Sequence, residues 1–123
     1  MKYALLIYAT PEAAAKQVPP PGDGVIDSWL DYTRAVRQSG VLLAAEQLER
    51  TDTATSVRLQ DGDRMLTDGP FMETKEHLAG FYLIDVPDLD TALDWAAKMP
   101  VMRYGTVEVR PVVEGAKWQE GLT

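Results

Sequence analysis

Two stretches of this chain are apolar on both of their alternating faces, and that property limits the folds open to it. Residues 3–9 read Tyr-Ala-Leu-Leu-Ile-Tyr-Ala, and residues 81–86 read Phe-Tyr-Leu-Ile-Asp-Val. In an extended backbone successive side chains point to opposite sides, so both sides of these strands need cover. Helices from the same chain can cover one side of a sheet. The other side needs something else.

The rest of the pattern supplies the helices. Ile26, Trp29, Leu30, Thr33 and Val36 recur at helical spacing over residues 25–39, and Gly40 closes the helix. Residues 41–48 form a second strand. Residues 54–60 and 64–67 pair through Asp61-Gly62-Asp63 as a small hairpin. The strand over 78–86 stops before Pro87, and Asp88 caps a helix over 89–98 whose inner stripe is Leu89, Ala92, Leu93 and Ala96. Pro100 ends that helix, and residues 106–113 are the last strand. The segment 10–24, with Pro19-Pro20-Pro21-Gly22, is a loop carrying one helical turn at 12–17. With the hairpin set aside, the order is strand, helix, strand, strand, helix, strand. That is the ferredoxin-like βαββαβ order of an α+β fold, an antiparallel sheet with both helices on one face. The bare face, being apolar, predicts a homodimer whose sheets meet as a dimeric α+β barrel.

At 123 residues the chain holds one domain, taken as 1–114, followed by an extension over 115–123. A net charge of -7 argues against nucleic acid as a partner, because phosphate binding needs a surplus of Lys and Arg on one face. The absence of cysteine excludes disulfides, thiol nucleophiles and thiolate metal sites, and suits a cytoplasmic protein. No apolar run approaches the length that crosses a membrane. The apolar N-terminal run is read as a strand because it lacks the length and cleavage site of a secretory signal. With a single histidine, no oxygen-ligand spacing of the calcium-loop type and no nucleotide loop, neither a metal nor an organic cofactor is expected.

The chemistry concentrates near residues 67–76, Thr-Asp-Gly-Pro-Phe-Met-Glu-Thr-Lys-Glu, a turn followed at once by charge. This stretch, with Gly-Phe-Tyr-Leu-Ile-Asp-Val at 80–86, Arg-Tyr-Gly at 103–105 and Val-Glu-Val-Arg-Pro at 107–111, resembles the YCII-related proteins that carry a DGPF motif. The likeness extends from Lys2 to about Val113. It implies the dimeric ferredoxin-like barrel already read from the order of elements. The wider group is associated with a His-Asp pair and with a dehydrochlorinase acting on hydroxylated aromatic rings. That pair does not carry over, because the histidine here is His77 and the N-terminal half has none. The resemblance also implies a functional association with a sigma factor, which assigns no chemistry.

Several side chains have both a functional and a structural reading. Asp68 can close its own turn as an Asx turn, or act as acceptor or general base at a pocket mouth. Glu73 and Lys75 share a face if the chain is extended there, and so form either a tuned proton-transfer pair or a solvated salt bridge. Glu46 is either a strand-end residue in water or a carboxylate facing inward, where it needs a partner such as Arg110 or Tyr8. Tyr8, Tyr82, Arg103 and Arg110 are the candidate ligand-binding groups. Tyr32 and Trp95 flank the helix stripes and could reach a cavity. His77, isolated before an apolar strand, reads as a surface or packing residue. The leading function is binding or transformation of a small polar or aromatic metabolite in a pocket of the barrel, by cofactor-free acid/base chemistry of a lyase or isomerase kind. The alternative is a non-catalytic ligand-binding or regulatory module linked to a sigma-factor transcription partner.

Overall fold

The computed structural model describes residues 1–16 and 28–121. Its elements, in chain order, are β1 (Lys2–Ala9), α1 (Pro11–Lys16), α2 (Trp29–Gln38), β2 (Leu42–Gln47), β3 (Thr55–Gln60), β4 (Asp63–Asp68), β5 (His77–Asp85), α3 (Leu89–Ala97) and β6 (Gly105–Pro111), with short 3-10 turns at 51–53, 100–103 and 117–119. The loop prolines and Ile26 lie outside the described residues. The main sheet has four strands in the order β2-β5-β1-β6, every neighbouring pair antiparallel. Numbered within the sheet alone, this is 2-3-1-4, the split βαβ order expected from the sequence. The hairpin β3-β4 is a separate two-stranded sheet.

Local chemistry sets the helix ends. Ser28 caps α2 by accepting the Asp31 N–H at 3.0 Å, and Asp88 caps α3 by accepting the Thr91 N–H at 2.8 Å. In β1 the odd positions Tyr3, Leu5, Ile7 and Ala9 are buried under the helices, together with Tyr82, Ile84 and Val86 of the β5 segment. Tyr32 and Val36 of α2, Ala92 and Ala96 of α3, and Met99 and Val101 complete the core. Two expectations are corrected here. On α3 the inward stripe is Ala92, Trp95 and Ala96, continued by Met99 just beyond the helix, while Leu89 and Leu93 are 46% and 44% exposed. Small residues there let the helix approach the sheet, and Trp95 fills the remaining space. On α2 the fully buried residues are Tyr32 and Val36, and Leu30 is 60% exposed.

Tight backbone contact holds the β2 edge in place. A Cβ added to Gly80 would lie 2.6 Å from the Glu46 carbonyl oxygen, so no larger residue fits without moving β2. The hairpin turn is Asp61-Gly62, with φ of 52° and 83°. Left-handed backbone at both central positions is the two-residue type I′ geometry that matches strand twist, and β4 accordingly starts at Asp63 rather than Arg64.

Candidate functional site

The sheet face away from the helices is built in rows that follow from strand register. One row carries Leu78, Tyr8 and Thr106; the next carries Glu46, Phe81, Leu6 and Glu108; a third carries Ala44, Leu83, Ala4 and Arg110. Its centre is apolar and its two edge strands carry charge. Leu6, Tyr8, Phe81 and Leu83 are half-buried, whereas their neighbours on the other face are almost fully covered.

Polar groups converge at one end of this face. Glu76 precedes β5, and its Oε1 accepts the Thr106 hydroxyl at 3.4 Å, which sets the carboxylate beside the row of Leu78, Tyr8 and Thr106. Thr106 is the register partner of Tyr8. Among the protein's five tyrosines, Tyr8 is the one whose hydroxyl makes no hydrogen bond among the described residues. An exposed carboxylate oxygen and an unengaged phenol therefore stand beside an apolar surface. This end can bind a hydroxyl or amine and can exchange a proton with it.

His77 secures the segment that carries Glu76. Its Nε2 lies 3.0 Å from the Thr74 carbonyl, which can only accept, so Nε2 carries the hydrogen. In the neutral ring Nδ1 then accepts the Thr51 hydroxyl at 2.6 Å. Both ring nitrogens are engaged, and the side chain joins the two ends of the hairpin insertion.

The helix-covered face treats its polar groups differently. Tyr82 Oη lies 2.5 Å from Thr33 Oγ1, Tyr32 Oη donates to the Trp95 carbonyl at 2.8 Å, and Trp29 Nε1 donates to Tyr104 Oη at 3.3 Å. Tyr82 stacks on Trp29 with ring centres 6.0 Å apart, and Tyr32 meets it edge-on at 5.3 Å. Burial pushes both phenols above their ordinary pKa; the Thr33 hydrogen bond partly offsets this for Tyr82, and the nearby Tyr82 adds to it for Tyr32. These hydroxyls are bonded inside the packing, and Tyr32, fully buried, faces the core rather than an open cavity.

The candidates named from sequence separate in space. Tyr8, Glu46 and Arg110 share the open face, but Glu46 and Arg110 stand on opposite edge strands about 14 Å apart, three strand spacings, and cannot pair within one chain. Both are exposed, so Glu46 is not a buried carboxylate here. Tyr82 points to the helices, away from Tyr8. Arg103 is half-buried in the turn between α3 and β6. Asp68, Glu73 and Lys75 are exposed at the foot of the hairpin. The turn after Asp68 is held by backbone, with Gly69 N–H donating to the Ala54 carbonyl at 2.7 Å and the Ser56 hydroxyl to the Gly69 carbonyl at 2.8 Å. The Asp68 carboxylate makes no such bond among the described residues, so the expected Asx turn does not form. Glu73 and Lys75 form no ion pair there either, because residues 70–76 bend rather than extend. Glu76 and Thr106 were missed from sequence. Glu76 stands in the charged run of residues 67–76, but only its contact with Thr106 assigns it to this end of the face.

Among the described residues, no helix is long and apolar enough to cross a membrane. The YCII-related domain family matches residues 1–116. An uncharacterised protein of Rhizobium meliloti (strain 1021) is 35% identical over 114 residues, covering 91% of this chain and 92% of the relative.

Proposed function

The chain belongs to the YCII-related family, and on that premise we propose that its open sheet face binds a small metabolite with an apolar or aromatic body and a hydroxyl or amine at one end. The body lies on Leu6, Phe81 and Leu83, and the polar end meets Tyr8 and Glu76. A second copy of the chain covers this face, giving the dimeric α+β barrel and enclosing the ligand. The chemistry is cofactor-free proton transfer of a lyase or isomerase kind in the cytoplasm, with the Glu76 carboxylate as base and Tyr8 as acid. Glu46 and Arg110 stand at the strand edges, and Asp68, Glu73 and Lys75 at the rim.

One observation carries this reading: the unengaged Tyr8 hydroxyl beside the Glu76–Thr106 pair, in a protein whose other tyrosine hydroxyls are all bonded. Enclosure matters because expelling water strengthens every polar contact a ligand makes inside the site. Native mass spectrometry of the purified protein tests the proposal by identifying what it carries. An amphipathic small molecule whose occupancy falls in Tyr8→Phe and Glu76→Gln, with melting unchanged, supports it. A molecule retained equally by both variants places the site elsewhere. Turnover of the identified molecule then separates an enzyme from a binding module.

A further inference from the structure

The polar end of the open face depends on a carboxylate that no regular element holds. Residues 70–76 lie between β4 and β5 without strand or helix, and Glu76 is the last of them. Its side chain turns about three bonds, and fixing them costs rotamer freedom. One contact of 3.4 Å with the exposed Thr106 hydroxyl is long for a hydrogen bond and does not offset that cost alone. The backbone around Glu76 is closed by two shorter bonds. His77 Nε2 donates to the Thr74 carbonyl at 3.0 Å, and the Thr74 hydroxyl donates to the Glu76 carbonyl at 2.5 Å. With the Thr106 contact, these are the hydrogen bonds that reach residues 70–76 among the described residues.

His77 is built to anchor this turn. It opens β5 in register with the buried Ala9, so the sheet fixes its backbone. Nδ1 of the same ring lies 2.6 Å from the Thr51 hydroxyl, at the other root of the hairpin insertion. A ring held at both nitrogens has one orientation, and the neutral form with its hydrogen on Nε2 satisfies both partners. The Thr74 carbonyl is thereby tied to the sheet, and through the Thr74 hydroxyl so is the Glu76 carbonyl. Resting on the reading that Tyr8 and Glu76 form the polar end of the site, we propose that His77 is the positioning residue of that end, its Nε2–H bond to Thr74 holding the Glu76 carboxylate at Thr106. It acts through the turn at 74–77 and takes no proton from a ligand, since both ring nitrogens are engaged.

Three substitutions separate the two bonds of the ring. A glutamine amide nitrogen reaches the place of Nε2 and keeps a donor for Thr74, an asparagine side chain reaches only the place of Nδ1, and leucine keeps bulk without either bond. NMR on His77→Gln, His77→Asn and His77→Leu reads the nuclear Overhauser contact between the Glu76 side chain and the Thr106 methyl group. The contact persists in His77→Gln and is lost in the other two. Its survival in His77→Asn or His77→Leu overturns the proposal. Its loss in all three also overturns it, because the ring then matters for its bulk. In the same samples para-cresol, an apolar ring with one hydroxyl, is titrated as the probe of the open face. Its dissociation constant rises about fivefold or more in His77→Asn and His77→Leu and stays in place in His77→Gln. Failure of para-cresol to shift Tyr8 and Thr106 in the unsubstituted chain, or equal affinity where the contact is lost, overturns the reading of the open face, and the Glu76–Thr106 contact still decides the role of His77. Should the variants not fold, the unsubstituted protein decides, because its one histidine gives one imidazole spectrum. Hydrogen on Nε2 supports the proposal, and hydrogen on Nδ1, or two averaging forms, refutes it.

Discussion

The two faces of the main sheet are made from the same strands and hold their polar groups in opposite ways. On the helix side, Tyr82, Tyr32, Trp29 and Tyr104 each have a hydrogen-bond partner. On the open side, the Tyr8 hydroxyl has none among the described residues, and the Glu76 carboxylate has a single long contact to Thr106. A buried polar group left without a partner costs stability, so a core closes its hydrogen bonds internally. A surface that binds something must leave bonds open. The contrast lies between satisfied and unsatisfied groups, and not between apolar and polar residues, since both faces are rich in apolar side chains.

Truncating adjacent leucines on opposite faces gives the largest expected difference. Leu5 is fully buried under the helices, and Leu5→Ala removes core contacts and leaves a cavity, at about 3 kcal/mol. That deficit is the same at every protein concentration. If a second copy covers the open face, Leu6→Ala lowers the melting temperature by less, and by an amount that grows with protein concentration, because the contact it loses is one between copies. Melting curves over a hundredfold dilution check both. A concentration-independent Leu6→Ala deficit as large as that of Leu5→Ala would erase the distinction between the faces.

Removing a hydroxyl reverses the comparison. Tyr82→Phe breaks the bond to Thr33 and costs about 1 kcal/mol of stability, with ligand occupancy unchanged. Tyr8→Phe loses no internal hydrogen bond and leaves stability as it was, while ligand occupancy falls about tenfold. Denaturant titration and native mass spectrometry on the same preparations read the two effects separately.

Alkaline pH sharpens the same contrast more gently. Folded Tyr32 and Tyr82 have raised pKa values, so above pH about 10 the unfolded chain ionises its phenols first. Their contribution is therefore complete below that pH and is lost as pH rises toward the folded values. Stability should decline from about pH 10 upward, and less steeply in Tyr82→Phe. Melting between pH 8 and 11 makes the measurement.

The helix side was the more legible of the two faces from sequence. Alternation in residues 3–9 and 81–86 gave the strands, and Asp88, Gly40 and Asp61-Gly62 gave a cap, a helix stop and a turn, because each acts on its own backbone. The stripes were harder to read. Leu89 and Leu93 fit an apolar pattern as well as Trp95 and Met99 do, and only packing against the sheet decides which set turns inward. The candidate site was legible in part. Tyr8, Glu46 and Arg110 fall on one face by simple alternation, yet their separation depends on strand order, which interposes β5 and β1 between Glu46 and Arg110. Thr106 could not be found from spacing at all, since it joins Glu76 across 30 residues of chain.

Only a small effect on stability is expected at Asp68, where the motif that stands out most in the sequence meets little structure. Its carboxylate is exposed and unbonded among the described residues, while Gly69 and Ser56 hold the turn through backbone oxygens. Asp68→Asn should therefore change stability by no more than about 0.5 kcal/mol, as other solvent-facing substitutions do. Gly69, with φ of 94°, is the residue of that turn whose replacement strains the backbone, so Gly69→Ala should cost more than Asp68→Asn although it removes no functional group. If Asp68 serves at the rim of the pocket, Asp68→Asn lowers ligand occupancy while the melting curve stays in place. If both variants leave occupancy unchanged and only Gly69→Ala shifts melting, the motif is a structural turn and the chemistry belongs to Tyr8 and Glu76. Thermal melting and native mass spectrometry on the two variants side by side distinguish these outcomes.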